Sequence, residues 1–467
     1  MVDSITPQTT RTAPVSRLLA EFVATTTYDE LPAQVVADAQ RAILDWLGSA
    51  LAGALEPPAQ MARQVVEAFG MADEASVLPT GRASAAGAAL ANGVASHILE
   101  LDDVHSGSTM HAAAPIIPAA LAVAEREHVD GRAFLLAVVL GYEAALRVGE
   151  AVNPSHYRFW HPTGTAATFG AAAAAGSLLR LDAKQILDAL GSAGTQAAGL
   201  WEFNADGAMS KHLHPGKAAF NGILAADFAR LGFTGATHIL EGERGFFRAM
   251  STGYNANRIT DGLGIHWKIC ENSYKLHACC GHTHTAIDAA LDLRGQRSWS
   301  RDAAQGQIAH IRIATYGPGY EIVKEPNPHT PYQAKFSIAY CVAAALLEGR
   351  VGLEQFSPER FGQVGVVEQD LAALLARTEV VVDDEMTACY PLAWPARVTL
   401  HLKNGTDIEA RADHPHGAPQ NPVPTAVLEE KLRTLIVPRY GPEMAEHAIR
   451  TAHAVLDCQD MATLMQR

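Results

Sequence analysis

Alanine sets the terms for this chain. It dominates the first half of the 467 residues, and the stretch 163–179 (TGTAATFGAAAAAGSLL) is mostly alanine and glycine. Alanine is the best helix former and adds almost no bulk. Such a sequence predicts helices that approach one another closely rather than a sheet. The apolar positions agree. Val36, Ala39, Ile43, Trp46 and Leu47 share one helical face, with Asp29 and Pro32 at the start of that segment. Further helices are predicted at 59–69, 83–101, 115–126, 133–152, 183–190 and 218–231.

Past Gly235 the pattern changes. Segments 308–316, 396–402 and 407–412 alternate as strands, and Asn404-Gly405 between the last two is a strong hairpin signal. Apolar helices are predicted at 284–293 and 333–347 among them. The expected architecture is mainly α: a large multihelical domain with a smaller α+β lid carrying an antiparallel sheet. The expected division is a flexible arm at 1–15, the first part of the helical domain at 16–269, the lid at 270–412, and a helical tail at 413–467 that returns to the first domain.

Composition narrows the function. Apolar residues make up 48% and charged residues 18%, enough for a large core, and the net charge is −14. No Lys/Arg run exceeds two residues, so no nucleic-acid partner is expected. The longest apolar stretch is too rich in Ala and Gly for a membrane span. The six cysteines have no framework spacing, and the N-terminus lacks an apolar signal core. A cytoplasmic protein is expected.

Three loops next to buried helices hold the chemistry-bearing residues. The first runs from Glu100 through Asp102 and Asp103 to His105 and His111. The second is His161-Pro162-Thr163-Gly164, which opens the alanine run. The third is Lys211-His212-Leu213-His214-Pro215-Gly216-Lys217, read as a loop entering helix 218–231. Cations at a helix N-terminus oppose its dipole, which hints at an anionic partner. Each loop also has a plain structural alternative, as a capped turn or a set of solvated charges.

The run His277-Ala278-Cys279-Cys280-Gly281-His282-Thr283-His284 looks like a metal box. Adjacent cysteines rarely reach one tetrahedral ion together, and no second pair lies at zinc-finger spacing. No metal is therefore expected there. Phosphate-loop, dinucleotide and nucleophile-elbow motifs are absent. What remains is His, Lys and carboxylate. That inventory suits formation of a carbanion beside a carboxylate, with cations stabilising the enolate and histidines moving protons.

Several stretches together resemble one family: ELDDVHSGSTMHAAAPIIPAALAVAE, HPTGTAATFGAAAAAGSLL, GAMSKHLHPGKAAFNGILAADFARLGFTG, YKLHACCGHTHTAIDAAL and AKFSIAYCVAAALLEGRVGLEQF. In this order and over nearly the whole chain they resemble the MmgE/PrpD family. That family includes 2-methylcitrate dehydratase, cis-aconitate decarboxylase and iminodisuccinate epimerase. The resemblance implies a helical body with an α+β lid, a homodimer, and no metal or other cofactor. Carried over by motif, His111, His161, Lys211, Lys275 and Asp102 are the expected catalytic residues. Glu100, Asp103, Thr163, His214 and Cys280 are the expected substrate contacts. The chain departs from the usual pattern at Glu100 (usually Asp), Val104 (usually Thr), Ala112-Ala113 (usually Pro-Ser) and Cys280 (His in the decarboxylases).

The expected function is a cofactor-independent lyase of the dehydratase type. It would act on a small di- or tricarboxylate by removing a proton next to a carboxylate. Decarboxylation of a cis-aconitate-like acid and epimerisation of an iminodisuccinate-like acid share the carbanion and are the alternatives. A non-catalytic carboxylate-binding protein and a metal-bound regulatory protein are the alternatives of another kind.

Overall fold

The computed structural model describes residues 14–70, 72–361 and 368–466. The expected arm at 1–15 lies outside them except for Pro14 and Val15, the N-cap and first residue of the first helix. The chain opens with α1 (Val15–Thr25), α2 (Ala33–Gly53) and α3 (Pro57–Ala68). A short ribbon, β1 (Ala75–Ser76) and β2 (Arg82–Ala83), leads into α4 (Ala85–His97), α5 (Ala113–Arg126), α6 (Gly131–Val152) and α7 (Ala166–Leu178). Then come α8 (Ala183–Gly194), α9 (Phe203–Asp206), α10 (Ser210–Arg230) and α11 (Phe246–Met250).

The alanine run is α7, and every residue of it except Ser177 is buried. Helices α6 and α10 pack directly on it, and α10 also crosses α4. The α4–α10 crossing is a backbone contact. A Cβ on Gly93 would lie 2.7 Å from Gly216 Cα, and one on Gly216 would lie 2.5 Å from the Leu90 carbonyl oxygen. This contact matters for function because α4 ends at His97 and α10 begins beside Lys211. Gly93→Ala should raise helix propensity yet destabilise the protein by about 1–3 kcal/mol through overpacking. A thermal melt should show the loss; an unchanged or higher Tm would mean the crossing is looser than described.

The second half carries α12 (His284–Arg297), α13 (Arg301–Gln307), β3 (Ile308–Thr315), α14 (Gly317–Val323), α15 (Pro331–Lys335) and α16 (Ile338–Glu348). It continues with α17 (Gln369–Leu375), β4 (Thr378–Val382), α18 (Asp384–Cys389), β5 (Ala396–Leu402) and β6 (Asp407–Ala412). The strands lie in the order β4-β3-β5-β6. The β5–β6 hairpin turns at Asn404-Gly405, with Gly405 at φ +84°. Ala396, Val398, Leu400 and Leu402 face inward and the alternate residues are less buried. Helix α12 packs on β5 and β6.

The expected antiparallel sheet needs one correction: it is mixed. β4 runs parallel to β3, with Ile311 opposite Thr378. The β3–β4 connection passes through α14 to α17, long enough to return in the same direction. The tail forms α19 (Thr425–Tyr440) and α20 (Pro442–Ala454), both of which pack on α2. No helix among the described residues is long and apolar enough to cross a membrane.

Candidate active site

The acidic loop is held between two rigid walls. Helix α4 stops at His97, and the chain reverses with Glu100 at φ +60°. That left-handed backbone is costly for a residue with a Cβ, and here it buries the Glu100 carboxylate. Val104 then pairs with Ser273 through two backbone hydrogen bonds of 2.8 and 2.9 Å. Its side chain packs with Tyr316, Met386 and Trp394 of the α+β part. This pairing brings Lys275 across to the loop.

Lys211 and Lys275 converge on Glu100. The Lys211 ammonium bonds Glu100 Oε1, and Lys275 Nζ lies 3.4 Å from Oε2. All three side chains are almost wholly buried. Burial pushes the Glu100 carboxyl up, but the two ammoniums overcome it and hold the group well below the usual carboxylate range. Burial likewise works against the Lys275 charge, and Glu100 and Asp102 raise its pKa in spite of that. Lys335 stands nearby with Nζ 2.9 Å from the Leu99 carbonyl, and burial lowers its pKa to about 8.

Lys211 sits in the first turn of α10 rather than on a loop. The helix starts at Ser210, eight residues before the expected 218, and Pro215 lies inside it. The dipole cost of a first-turn cation is met by Glu100. Lys217, on the same helix, is spent on the carbonyls of Ala198 at 2.8 Å and Gly164 at 3.3 Å.

The histidines lie beside this charge cluster. His111 Nδ1 is 2.6 Å from the Asp103 carbonyl oxygen, which can only accept. Nδ1 therefore carries the proton, and Nε2 of the neutral ring is left with its lone pair. The His111 N–H donates to Thr163 Oγ1 at 3.1 Å, which ties the first loop to the second. His161 is anchored by its N–H to the Gly199 carbonyl at 2.8 Å. Its Nδ1 lies 3.1 Å from His214 Nδ1, so one ring donates to the other. The His111 and His161 ring centres are 6.1 Å apart. Burial, then Lys275, holds the His111 pKa well below its usual value; burial, then His214, does the same for His161. Both rings are neutral in this site at pH 7.

The other expected residues fall close by in different roles. Asp102 Oδ2 is 2.6 Å from His97 Nδ1 and 3.5 Å from His111 Nδ1. The Asp103 carboxyl takes hydrogen bonds from Tyr142 OH at 2.6 Å and the Ala113 N–H at 3.0 Å, and burial pushes it up to about 7. Thr163 and Asp103 thus brace the loop. Cys280 is buried near Lys275; burial pushes its thiol up to about 11, so it stays protonated. His105 is buried as well. It bonds Ser108 Oγ at 2.9 Å and reaches Glu271 at 3.3 Å, outside the His111–His161 group.

Sequence reasoning passed over His97 and Tyr157. His97 falls inside the apolar helix expected at 83–101, yet its ring centre is 4.8 Å from His111 and 5.5 Å from His161. The available signal was a histidine five residues before the Asp-Asp pair. Tyr157 OH lies 3.3 Å from His282 Nε2, whose other nitrogen bonds Tyr316 OH; this uses the HACCGHTH run for bracing.

Among the described residues, two groups offer metal-type donors. His97, Asp102 and His111 lie within 4.8 Å of one another, as do His105, Glu150 and Glu271. In the first, His111 Nδ1 is committed to a carbonyl and Lys275 adds positive charge. In the second, Lys268 Nζ already bonds Glu150 at 2.9 Å and Glu271 at 3.1 Å. Both arrangements suit protons and ammoniums better than a divalent ion.

Residues 17–259 match the MmgE/PrpD N-terminal domain and residues 277–457 match the MmgE/PrpD C-terminal domain. The chain belongs to the MmgE/PrpD family. It is 30% identical to a cis-aconitate decarboxylase-like protein of Aspergillus oryzae, covering 90% of each chain. It is 29% identical to the cis-aconitate decarboxylase of Aspergillus terreus, over 87% of this chain and 86% of that one. The human cis-aconitate decarboxylase is 27% identical, over 92% and 89%.

Proposed function

We propose that the chain is a lyase acting on a small di- or tricarboxylate, and that decarboxylation of a cis-aconitate-like acid is its reaction. The observation that carries this reading is the buried pair Lys211 and Lys275 sharing the single carboxylate Glu100 beside neutral histidines. A polycarboxylate entering such a site meets two ammoniums already desolvated, so each contact is strong. The similarity to proteins named as cis-aconitate decarboxylases moves the preference from loss of water to loss of CO₂.

The chemistry follows from charge. As the C–COO⁻ bond breaks, its electron pair passes into the conjugated alkene and carboxylate. The resulting dienolate places its charge on oxygens that Lys211 and Lys275 can hold. A protonated imidazole gives its proton to carbon, CO₂ leaves, and the ring takes a proton from solvent. The neutral rings of the empty site acquire that proton when an anion binds, because added negative charge favours imidazolium. The unprotonated Nε2 of His111 supports a second reading, in which it removes an α-proton from a hydroxy acid as a dehydratase would.

A panel of cis-aconitate, citrate, methylcitrate and iminodisuccinate separates these readings. Turnover of cis-aconitate with release of CO₂ is expected. Alkene formation from citrate or methylcitrate alone would restore the dehydratase, and binding of all four without turnover would leave a carboxylate-binding protein.

Association is the second part of the proposal. Leu213 and Phe228 of α10 and its C-cap residue Leu231 are exposed, Leu231 by 82%. Phe220 and Leu224 lie between them and are only partly buried. An apolar stripe of this kind usually meets a partner. Sedimentation at micromolar concentration should show a homodimer; a fully active monomer would contradict it.

A further inference from the structure

Of the site histidines, His97 has the most unusual surroundings. It is wholly buried at the last position of α4. Its Nδ1 lies 2.6 Å from Asp102 Oδ2, and a carboxylate can only accept, so Nδ1 holds a proton. Its Nε2 is buried without any hydrogen-bond partner. An orphaned buried ring nitrogen costs stability unless something uses it. The ring forms a triangle with His111 and His161, at 4.8 and 5.5 Å between centres, with His212 at 6.4 Å.

The three rings are not equivalent as proton carriers. His111 Nδ1 faces a neutral carbonyl, with Asp102 farther off at 3.5 Å, and His161 faces another imidazole. Of the three, His97 alone has a carboxylate at close hydrogen-bond distance, and a carboxylate so placed fixes the tautomer and orientation of the ring. The other titratable groups facing this cluster are Glu100, Asp45 and Asp103, the Lys211 and Lys275 ammoniums, and the imidazoles of His212 and His214. In the empty site the ammoniums oppose a further positive charge; a bound polycarboxylate cancels that opposition.

We propose that Asp102 and His97 form a proton-holding dyad. It takes up a proton when a polycarboxylate binds, and through His97 Nε2 it supplies the flanking imidazoles His111 and His161. His97 is thus a positioning and relay residue, acting on the reacting carbon through its neighbours. This deepens the lyase reading and rests on it. The step balances: decarboxylation consumes one proton per turnover, and the dyad is refilled from solvent as the next anion binds.

The test uses propane-1,2,3-tricarboxylate, which has no alkene to carry the charge left by CO₂. Its binding to the full-length protein is measured by calorimetry at pH 7.5 in two buffers of different ionisation enthalpy, which counts protons taken up. Wild type should take up about one proton per site. His97→Gln should bind within about threefold of wild type and take up about one proton fewer. Its kcat on cis-aconitate should fall by about 10²-fold with KM little changed. Asp102→Asn keeps the ring and its Nδ1 partner but removes the charge, so it should lose the same proton if His97→Gln proves poorly folded. Its pH–rate profile should move to lower pH. Unchanged proton uptake in both variants, with wild-type binding intact, would overturn the dyad alone. Failure of the wild type to bind the probe would overturn the carboxylate reading beneath it.

Discussion

His111→Asn and His161→Asn should each lower kcat by about 10²-fold or more, as expected for lost general acid–base catalysis. The substitution suits His111 because an asparagine amide can still donate to the Asp103 carbonyl that His111 Nδ1 reaches at 2.6 Å. The loop is kept and only Nε2 is lost. At His161 the amide can still meet His214, so the change again removes the ring more than the scaffold. Lys211→Ala should differ by raising KM and lowering kcat together, because Lys211 holds charge in both ground and transition states. His105→Asn is the control. It bonds Ser108 and Glu271, outside the His111–His161 group, so folded protein should keep most of its activity. Near-normal kcat in both His111→Asn and His161→Asn, with His105→Asn inactive, would mean that the reacting carbon lies on the other side of the loop.

Mild acid should unfold the protein. His111, His156, His161, His212, His214, His282 and His284 are all held below the usual histidine value, chiefly by burial. The unfolded chain binds protons at these seven positions as pH falls through about 6.5, and the folded chain does not. Stability from these groups is therefore present above pH 6.5 and lost below it. Asp45, Asp103, Glu125 and Glu143 oppose this, because their raised pKa values let the folded state hold protons the unfolded state lacks. The seven histidines outnumber these carboxyls, so the unfolded chain binds more protons overall and stability should fall as pH drops through this range. Circular dichroism should show cooperative unfolding between about pH 6 and 4.5. A Tm that stays flat down to pH 5 would mean that water reaches these rings and their burial does not set their charge.

The parts of this architecture written in local pattern were legible in the sequence. Alanine spacing gave the helical body, and alternation with Asn404-Gly405 gave β5 and β6 at their observed limits. The site loops were legible because polar residues interrupt apolar helices there. What escaped depends on chain reversals that no short window encodes. Glu100 turns inward only because its backbone adopts φ +60°. His97 joins the cluster only because that turn brings Asp102 back beneath it. Lys211 lies on a helix because α10 starts ahead of Pro215, where proline and glycine suggested a loop. β4 has five residues and is defined by its parallel pairing with β3, a long-range contact. Asp103 and Thr163 were placed near the chemistry, but whether a side chain faces substrate or braces a loop is decided by partners such as Tyr142 and His111.

The most direct test of the central claim is the fate of cis-aconitate in D₂O with protein that has been exhaustively chelated and dialysed. Lysine and histidine alone should support the reaction. Undiminished release of CO₂ is predicted, with one solvent deuteron on the carbon that takes up the proton, followed by NMR. Activity that vanishes on chelation and returns with one metal ion per chain, or product free of deuterium, would contradict the account.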